Sequence, residues 1–450
     1  MRHLQSSAYL LLLLLSSCVS YQPAPVDFAR DSAQWQSFSS RLCPPGRPLT
    51  PDVLRHVGLL LNPDLNKARL TYAASTAASR YAGLWEDPAL SLEGERVLKE
   101  NFNNYSIGPS LSIPVTGIPR LSRRIAEQYR EADYWDMRAR ERDFLSQLDR
   151  LQYKIMTAHA QRELTRKRLA VLEEEKSRIR RLQELGEVSF SEYQTASQRL
   201  SDTIKEAQER DNDHLSLHQE LISLLGLHPS TSMPELAASL PSALPAEVSA
   251  PTAEELTKSP RLKSLAAAYG AGEEELRREI RKQYPTLSLG PSLAREESED
   301  KLGLGPELGL PLWNRNREAI ARSEGDRSLK RHDLLQQWHS LLQESDTLMK
   351  RQSLALLHCR TERERLTALT EAGKRQEELF AMGETSLPEL ANARHEIYQR
   401  QLNYLTCLET LLDIQVQLST STPHTIHDFS LPILPDSSPS LPPRPADHRA

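Results

Sequence analysis

Aromatic residues make up only 6% of this 450-residue chain, too few for a large compact core in proportion to its length. Long apolar runs are missing as well. Beyond the first fifteen residues nothing approaches the roughly 18 consecutive apolar side chains that read as a membrane-spanning helix. Charge of one sign is not in excess, with 56 basic against 61 acidic side chains and a net charge of −5, so no electrostatic footprint for nucleic acid exists. The four cysteines have no zinc-ligand spacing. A nucleophile–base constellation and a phosphate loop are also missing, so the sequence argues against an enzyme and calls for no cofactor. With aromatics so few, a mean hydropathy of −0.54 argues for long solvated helices over one compact core.

The sequence also says one thing twice. IGPSLSIP at 107–114 returns as LGPELGLP at 304–311, an offset of 304 − 107 = 197. Pro63, Pro88, Pro109 and Pro114 recur at that same offset as Pro260, Pro285, Pro306 and Pro311. NPDL (62–65) answers SPRL (259–262), PALSL (88–92) answers PTLSL (285–289), and GEVSFSE (186–192) answers GETSLPE (383–389). So many landmarks at one spacing mark an internal duplication, with a unit too long for a solenoid repeat.

Each copy holds two stretches of strict alternation. Ile107, Pro109, Leu111 and Ile113 point one way and Ser106, Gly108, Ser110 and Ser112 the other, which is the period of a strand with one apolar face. The same pattern predicts strands at about 89–98, 104–114, 286–294 and 301–312, with Leu304, Leu308 and Leu310 on the apolar face of the last. Ten residues is the length of a tilted strand crossing a membrane. Alternation looks the same when the apolar face meets protein, however, and four strands cannot close a barrel. Either the sheet is soluble and covers a core, or several chains share one barrel.

Arg120 to Leu185 and Arg317 to Met382 each run for 66 residues without proline, with dense charge. Phe144, Leu148, Leu151, Ile155 and Ala158 follow the spacing of a coiled-coil seam. Unbroken, each helix would be about 100 Å long. Gly186 and Gly383 stop them in short polar turns, and new helices follow, the second with Leu390, Ala393, Ile397, Tyr404, Cys407, Leu411, Ile414 and Leu418 on one seam and Arg400 interrupting it. Each half therefore contains a long helical hairpin. The expected organisation is an export segment at 1–17, an irregular tether at 18–50, a first repeat at 51–227, a Pro-, Ser- and Ala-rich linker at 228–258, a second repeat at 259–420, and a proline-rich disordered tail at 421–450.

The export segment sets Arg2 before an apolar run from Ala8 to Leu15. Its end, Leu15-Ser16-Ser17-Cys18, resembles the lipobox of bacterial lipoproteins, which implies acylation of Cys18 and, with Val19 following, sorting to the outer membrane. An ordinary cleaved signal with an incidental cysteine is the alternative. Cys359 and Cys407 lie symmetrically about Gly383, since (359 + 407)/2 = 383, at one height on the second hairpin. That placement permits a disulfide in an oxidising compartment, the alternative being two buried thiols. His214 and His218, four apart beside Asp211 and Asp213, have the spacing of a metal pair but no evident third ligand, and a solvated helix face is the simpler reading.

The duplication, the helix-strand-strand-helix-helix order of each half, and the phrases NPDL, LSIP, LGLPLWNRNREAIA and GEVSFSE together resemble the TolC family of bacterial outer-membrane efflux proteins over about residues 50–420. The LPLWNRNREAIA stretch and the lipobox look most like its CzcC/CusC heavy-metal efflux branch. That resemblance implies a mainly α fold with a small β part. Three copies would close a twelve-stranded outer-membrane β-barrel, four strands from each, above a periplasmic cylinder of long antiparallel helices. Ile107, Leu111, Ile113, Leu304, Leu308 and Leu310 would then face lipid. It further implies that the turns at Gly186 and Gly383 form the periplasmic entrance, opened when an adaptor protein and an inner-membrane pump dock. In relatives an acid six residues past the second tip glycine can face that entrance. Here it is Glu389, with Glu192 as its counterpart. Asn392 replaces a second acid that the family often carries. Glu389 simply favouring the dipole of its own helix is the competing account.

Overall fold

The computed structural model describes residues 21–97, 102–232, 236–237, 239–296 and 299–421. The export segment, Cys18, parts of both strand-connecting loops and residues 422–450 lie outside the described residues. The chain divides into two compact units, one within Met1–Asn62 and Leu215–Ala238, the other Pro63–His214 and Ser239–Ala450.

The first unit corrects the expected irregular tether. Residues Phe28–Leu42 form a helix, α1, started by Asp27, whose Oδ1 accepts from the amides of Ala29 and Arg30 at 3.1 and 3.2 Å. Trp35 holds it down, donating from Nε1 to the Gly226 carbonyl at 2.9 Å and meeting the His228 ring edge-on at 4.9 Å. Helix α2, Pro51–Leu61, has Thr50 as its cap and Pro51 in its first turn, where a missing amide hydrogen costs nothing. Leu54, Val57 and Leu59 of α2 are buried, as are Leu221, Leu225 and Leu227.

In the second unit the two halves carry the same order. Helix α3 (Pro63–Tyr81) leads to strands β1 (Ala89–Val97) and β2 (Phe102–Ile113), then to helix α4 (Ile118–Glu184) and helix α5 (Phe190–Leu225), which continues into the first unit. After a short helix α6 (Ala253–Thr257), started by a Thr252–Glu255 capping box inside the expected linker, come α7 (Pro260–Arg281), β3 (Thr286–Glu296), β4 (Glu299–Gly309), α8 (Arg317–Met382) and α9 (Leu387–Ser421). Helix α9 packs against both α8 and α4, and α7 packs against α4 and α8. That double contact gives α9 two apolar stripes. Leu411, Ile414 and Leu418 are buried on one, and Leu408, Leu412 and Val416 are buried beside them.

The strands form one antiparallel sheet in the order β1-β2-β3-β4. β4 ends earlier than the alternation predicts. Its last pair is Gly309 with Thr286, so Leu310 lies past the strand, followed by Pro311, which has no amide hydrogen to continue a ladder.

Candidate functional site

The register of the sheet decides which side chains share a face. Leu92 pairs with Ile107, Ile107 with Leu293 and Leu293 with Leu302, one apolar row running across all four strands. A second row runs Leu111–Leu289–Pro306. Among the described residues nine leucine and isoleucine side chains of this face are exposed, including Leu92 at 70%, Leu304 at 69% and Leu302 at 79%. The opposite face pairs Ser91 with Gly108, Ser112 with Ser288, and Gly290 with Gly305. Such a contiguous apolar face is far larger than an isolated surface leucine and must be covered by something. Among the described residues no helix is long and apolar enough to cross a membrane.

The hairpin ends form the second half of the site. Gly186 and Gly383 take φ values of +80° and +79°, left-handed conformations that glycine adopts without steric cost. Each closes its helix in the same way, with the amide of Glu187 donating to the Leu182 carbonyl and that of Glu384 to the Leu379 carbonyl, both at 2.9 Å. The next helix starts with a capping box in both copies. Glu192 Oε2 accepts from the Ser189 amide at 2.8 Å and the Ser189 hydroxyl at 2.7 Å. Glu389 Oε2 accepts from the Ser386 amide at 3.1 Å and the Thr385 hydroxyl at 2.6 Å. These hydrogen bonds hold both carboxyls below the usual range, the Ser189 hydroxyl leading for Glu192 and the Thr385 hydroxyl for Glu389, although both are fully exposed. Each acid is thus the third helical residue of an S-x-x-E box, a pattern legible in SFSE and SLPE. The two tips meet through Ile179, Ala196 and Leu387, with Val188, Tyr193 and Phe380 packed around them.

Behind the tips, polar contacts join α4 of one hairpin to α9 of the other. Arg150 grips Asp413 with two bonds, 2.5 and 3.3 Å, Gln161 donates to Thr406 at 3.2 Å, and Thr165 meets the Tyr398 hydroxyl at 2.9 Å. Nearest the tips, Arg394 reaches Glu175 at 3.4 Å and Glu377 of α8 at 2.9 Å, while Arg168 sits 3.4 Å from Glu175. From Arg150 to Glu175 these contacts span about 37 Å of helix. Burial pulls the Arg168 guanidinium below its ordinary value despite Glu175, and pushes the Tyr398 phenol up to about 12. For Arg394 burial works in the same direction as for Arg168, but hydrogen bonds to Glu377 and Glu175 outweigh it and the value rises. None of these residues stood out in the sequence. Their only trace was a seam on α9 broken by Arg400, which in the structure pairs with buried Glu362 at 3.4 Å.

Cys359 and Cys407 are both buried, with sulfurs 2.8 Å apart and no bond between them. His214 meets His159 at 5.9 Å between ring centroids, and burial, then Arg162, lowers its pKa. His218 is buried on the same helix. Among the described residues no group of three or more His, Cys, Asp or Glu side chains is placed to hold a metal ion.

No protein-family model and no curated protein matches the chain. Solved structures do. CusC, solved in work on the conformational changes accompanying folding and transmembrane channel formation, superposes with a TM-score of 0.70 over 82% of this chain and 91% of its own, at 19% identity. The CmeC outer membrane channel of Campylobacter jejuni gives 0.71 over 90% and 89%, at 12% identity. The open state of the MtrE outer membrane channel of Neisseria gonorrhoeae gives 0.67 over 82% and 87%, at 14% identity. At these identities the likeness is one of fold. This chain has the fold of outer-membrane channel proteins.

Proposed function

We propose that this chain, built on the fold of the outer-membrane efflux channels, is the passive exit duct of a tripartite efflux system. The observation that carries the reading is the apolar face, in register across four strands and exposed, in a sheet whose outer strands β1 and β4 each have one neighbour among the described residues. A lipid-facing sheet must have every edge paired, because an unpaired backbone group in hydrocarbon costs several kcal/mol. Three copies side by side satisfy that demand with twelve strands, and the small and polar face then lines a wet lumen.

On this reading the chain is a homotrimer in the outer membrane, anchored additionally through acylated Cys18, with its helical hairpins forming a hollow cylinder through the periplasm. The joined tips at Gly186 and Gly383 are the entrance, where a periplasmic adaptor and an inner-membrane pump dock. Cargo, metal ions or small toxic molecules, is driven by the pump and not by this chain. Glu389 and Glu192 carry negative charge at the entrance, and their capping boxes support a fixed position for it. The metal reading of the cargo rests on the resemblance of LPLWNRNREAIA and the lipobox alone.

Single-channel conductance of the purified protein in planar bilayers tests this. Steady cation-preferring openings are expected, with the preference reduced in Glu389→Gln, a change that keeps a capping side chain while removing the charge. Lipidated, folded protein that never conducts would refute the duct and leave a periplasmic scaffold with a soluble sheet in its place.

A further inference from the structure

The second hairpin holds a pair of thiols that the duct reading does not use. Cys359 of α8 and Cys407 of α9 lie in an apolar cluster with Leu356 and Leu411, and their sulfurs are 2.8 Å apart. A disulfide needs about 2.05 Å, so sub-ångström movement of two side chains closes the bond. His358 lies beside them, its Nδ1 3.1 Å from Cys407 Sγ and its Nε2 4.0 Å from Glu362 Oε1. With the proton on Nε2, the nitrogen on the Glu362 side, Nδ1 is the base facing the thiol. His358 is two-thirds exposed, so this base connects a buried thiol to solvent.

We propose that Cys359 and Cys407 form a redox-set staple across α8 and α9, closed by exchange with a small-molecule or protein disulfide in an oxidising compartment. This rests on the export reading given above. Cys407, the less buried of the two, gives its proton to His358 and its thiolate attacks one sulfur of the incoming disulfide, expelling one thiolate. Cys359 then loses its proton and attacks Cys407 Sγ in the mixed disulfide, expelling the second thiolate. Two thiols are oxidised and the incoming disulfide is reduced to two thiols, so atoms and electrons balance. Burial raises both thiols, which makes the folded protein slow to react and the bond slow to be reduced once made.

The staple would make the two hairpins unequal. Subtracting the repeat offset, 359 − 197 = 162 and 407 − 197 = 210, places Arg162 and Arg210 at the corresponding positions of the first hairpin. There Arg162 pairs with Asp211 at 2.5 Å and Arg210 donates to Gln161 at 2.9 Å, contacts that break and reform as helices slide. With the staple closed, α8 and α9 keep one register and the second hairpin moves as a rigid body, while α4 and α5 remain free to shear.

The test traps thiols with N-ethylmaleimide before lysis, recovers the full-length protein from the outer-membrane fraction, and maps alkylated and linked peptides without reductant. Linked Cys359 and Cys407 peptides, freed only by reductant and abolished in Cys359→Ser, are expected. Both thiols alkylated in denatured protein from that fraction would overturn the staple. If the chain is missing from the outer membrane, the export reading fails instead. Purified protein incubated with glutathione disulfide then decides the geometry, linkage supporting it and two free thiols refuting it. Hydrogen exchange on the oxidised protein supplies the functional readout. Reductant is expected to raise exchange in α8 and α9 and leave α4 unchanged, and equal exchange before and after reduction would overturn the rigid-body role.

Discussion

Arg394 is one of the residues that tie the two hairpins together, bonding to both α4 and α8, and its removal tests whether that tie is energetic. Glu175 is 5% exposed and is held by Arg168, also 5% exposed, and by Arg394, 37% exposed. Stripping the partner from a buried charge costs about 3–5 kcal/mol when nothing replaces it. Arg394→Met leaves Glu175 with Arg168, and Arg394 is partly screened by solvent, so the expected cost is about 2 kcal/mol. Glu175→Gln strands Arg168 among buried groups and should cost about 3 kcal/mol. Once Glu175 is neutral, Arg394 retains only Glu377, a half-exposed surface partner worth at most about 1 kcal/mol. The double variant should therefore cost little more than Glu175→Gln alone, a coupling of about 1–2 kcal/mol. Hydrogen exchange of α9 amides around Arg394 reads this directly, with Arg394→Met raising exchange about 30-fold if local opening is the route. Additive single effects within about 0.5 kcal/mol would refute the reasoning, because the contacts would then be bystanders to helix packing.

Leu304→Arg should block insertion into lipid vesicles, at about 2–4 kcal/mol near the bilayer midplane, while Ser292→Arg on the small and polar face inserts normally; equal insertion of both would remove lipid from the account of the apolar face. Gly290→Ala brings a Cβ within 2.4 Å of the Pro109 carbonyl oxygen, whereas Gly305→Ala meets nothing within 4 Å, so only the former should weaken the sheet, by about 1–3 kcal/mol in thermal unfolding. The capping acids Glu192 and Glu389 have folded pKa values below the ordinary carboxylate value. Their contribution is complete above that ordinary value and is lost as pH falls through the lowered one, so exchange at the two tips should rise in acid, and less so in Glu192→Gln/Glu389→Gln. An unchanged acid profile in the double variant would assign the effect to other groups.

How much of this was legible depends on whether a residue answers to its own helix or to a distant one. The apolar alternation of Ile107, Pro109 and Leu111 is local, and the register places those residues on one face. Gly186 and Gly383 are local stop signals and adopt the left-handed turns expected of them. The sequence of Phe28–Leu42 reads as tether because its proline- and serine-bearing surroundings hide a cap at Asp27 and an anchor, Trp35, whose acceptor lies 191 residues away. Arg394, Tyr398 and Asp413 escaped for a related reason. Each looks like an ordinary solvated helix residue until α4 is laid against α9, and the second apolar stripe of α9 does not say which polar residues of a distant helix it will meet. The capping role of Glu389, by contrast, was written in SLPE all along.

At the centre of the sheet the ladder between β2 and β3 runs from Tyr105–Arg295 to Ile107–Leu293 and resumes at Leu111–Leu289. The gap contains Pro109 and Pro291, neither of which has an amide hydrogen, and Gly108 and Gly290, each so near the opposing proline carbonyl that a side chain would collide with it. This interruption falls where the two halves of the duplication meet. A ladder interrupted over three residue pairs, with paired residues on either side, bends more readily at the interruption than where its bonds are continuous. A wall closed from several such sheets would not bend evenly around its circumference. The readiest bends would then fall at the repeat junctions, where Pro109 and Pro291 interrupt the ladder.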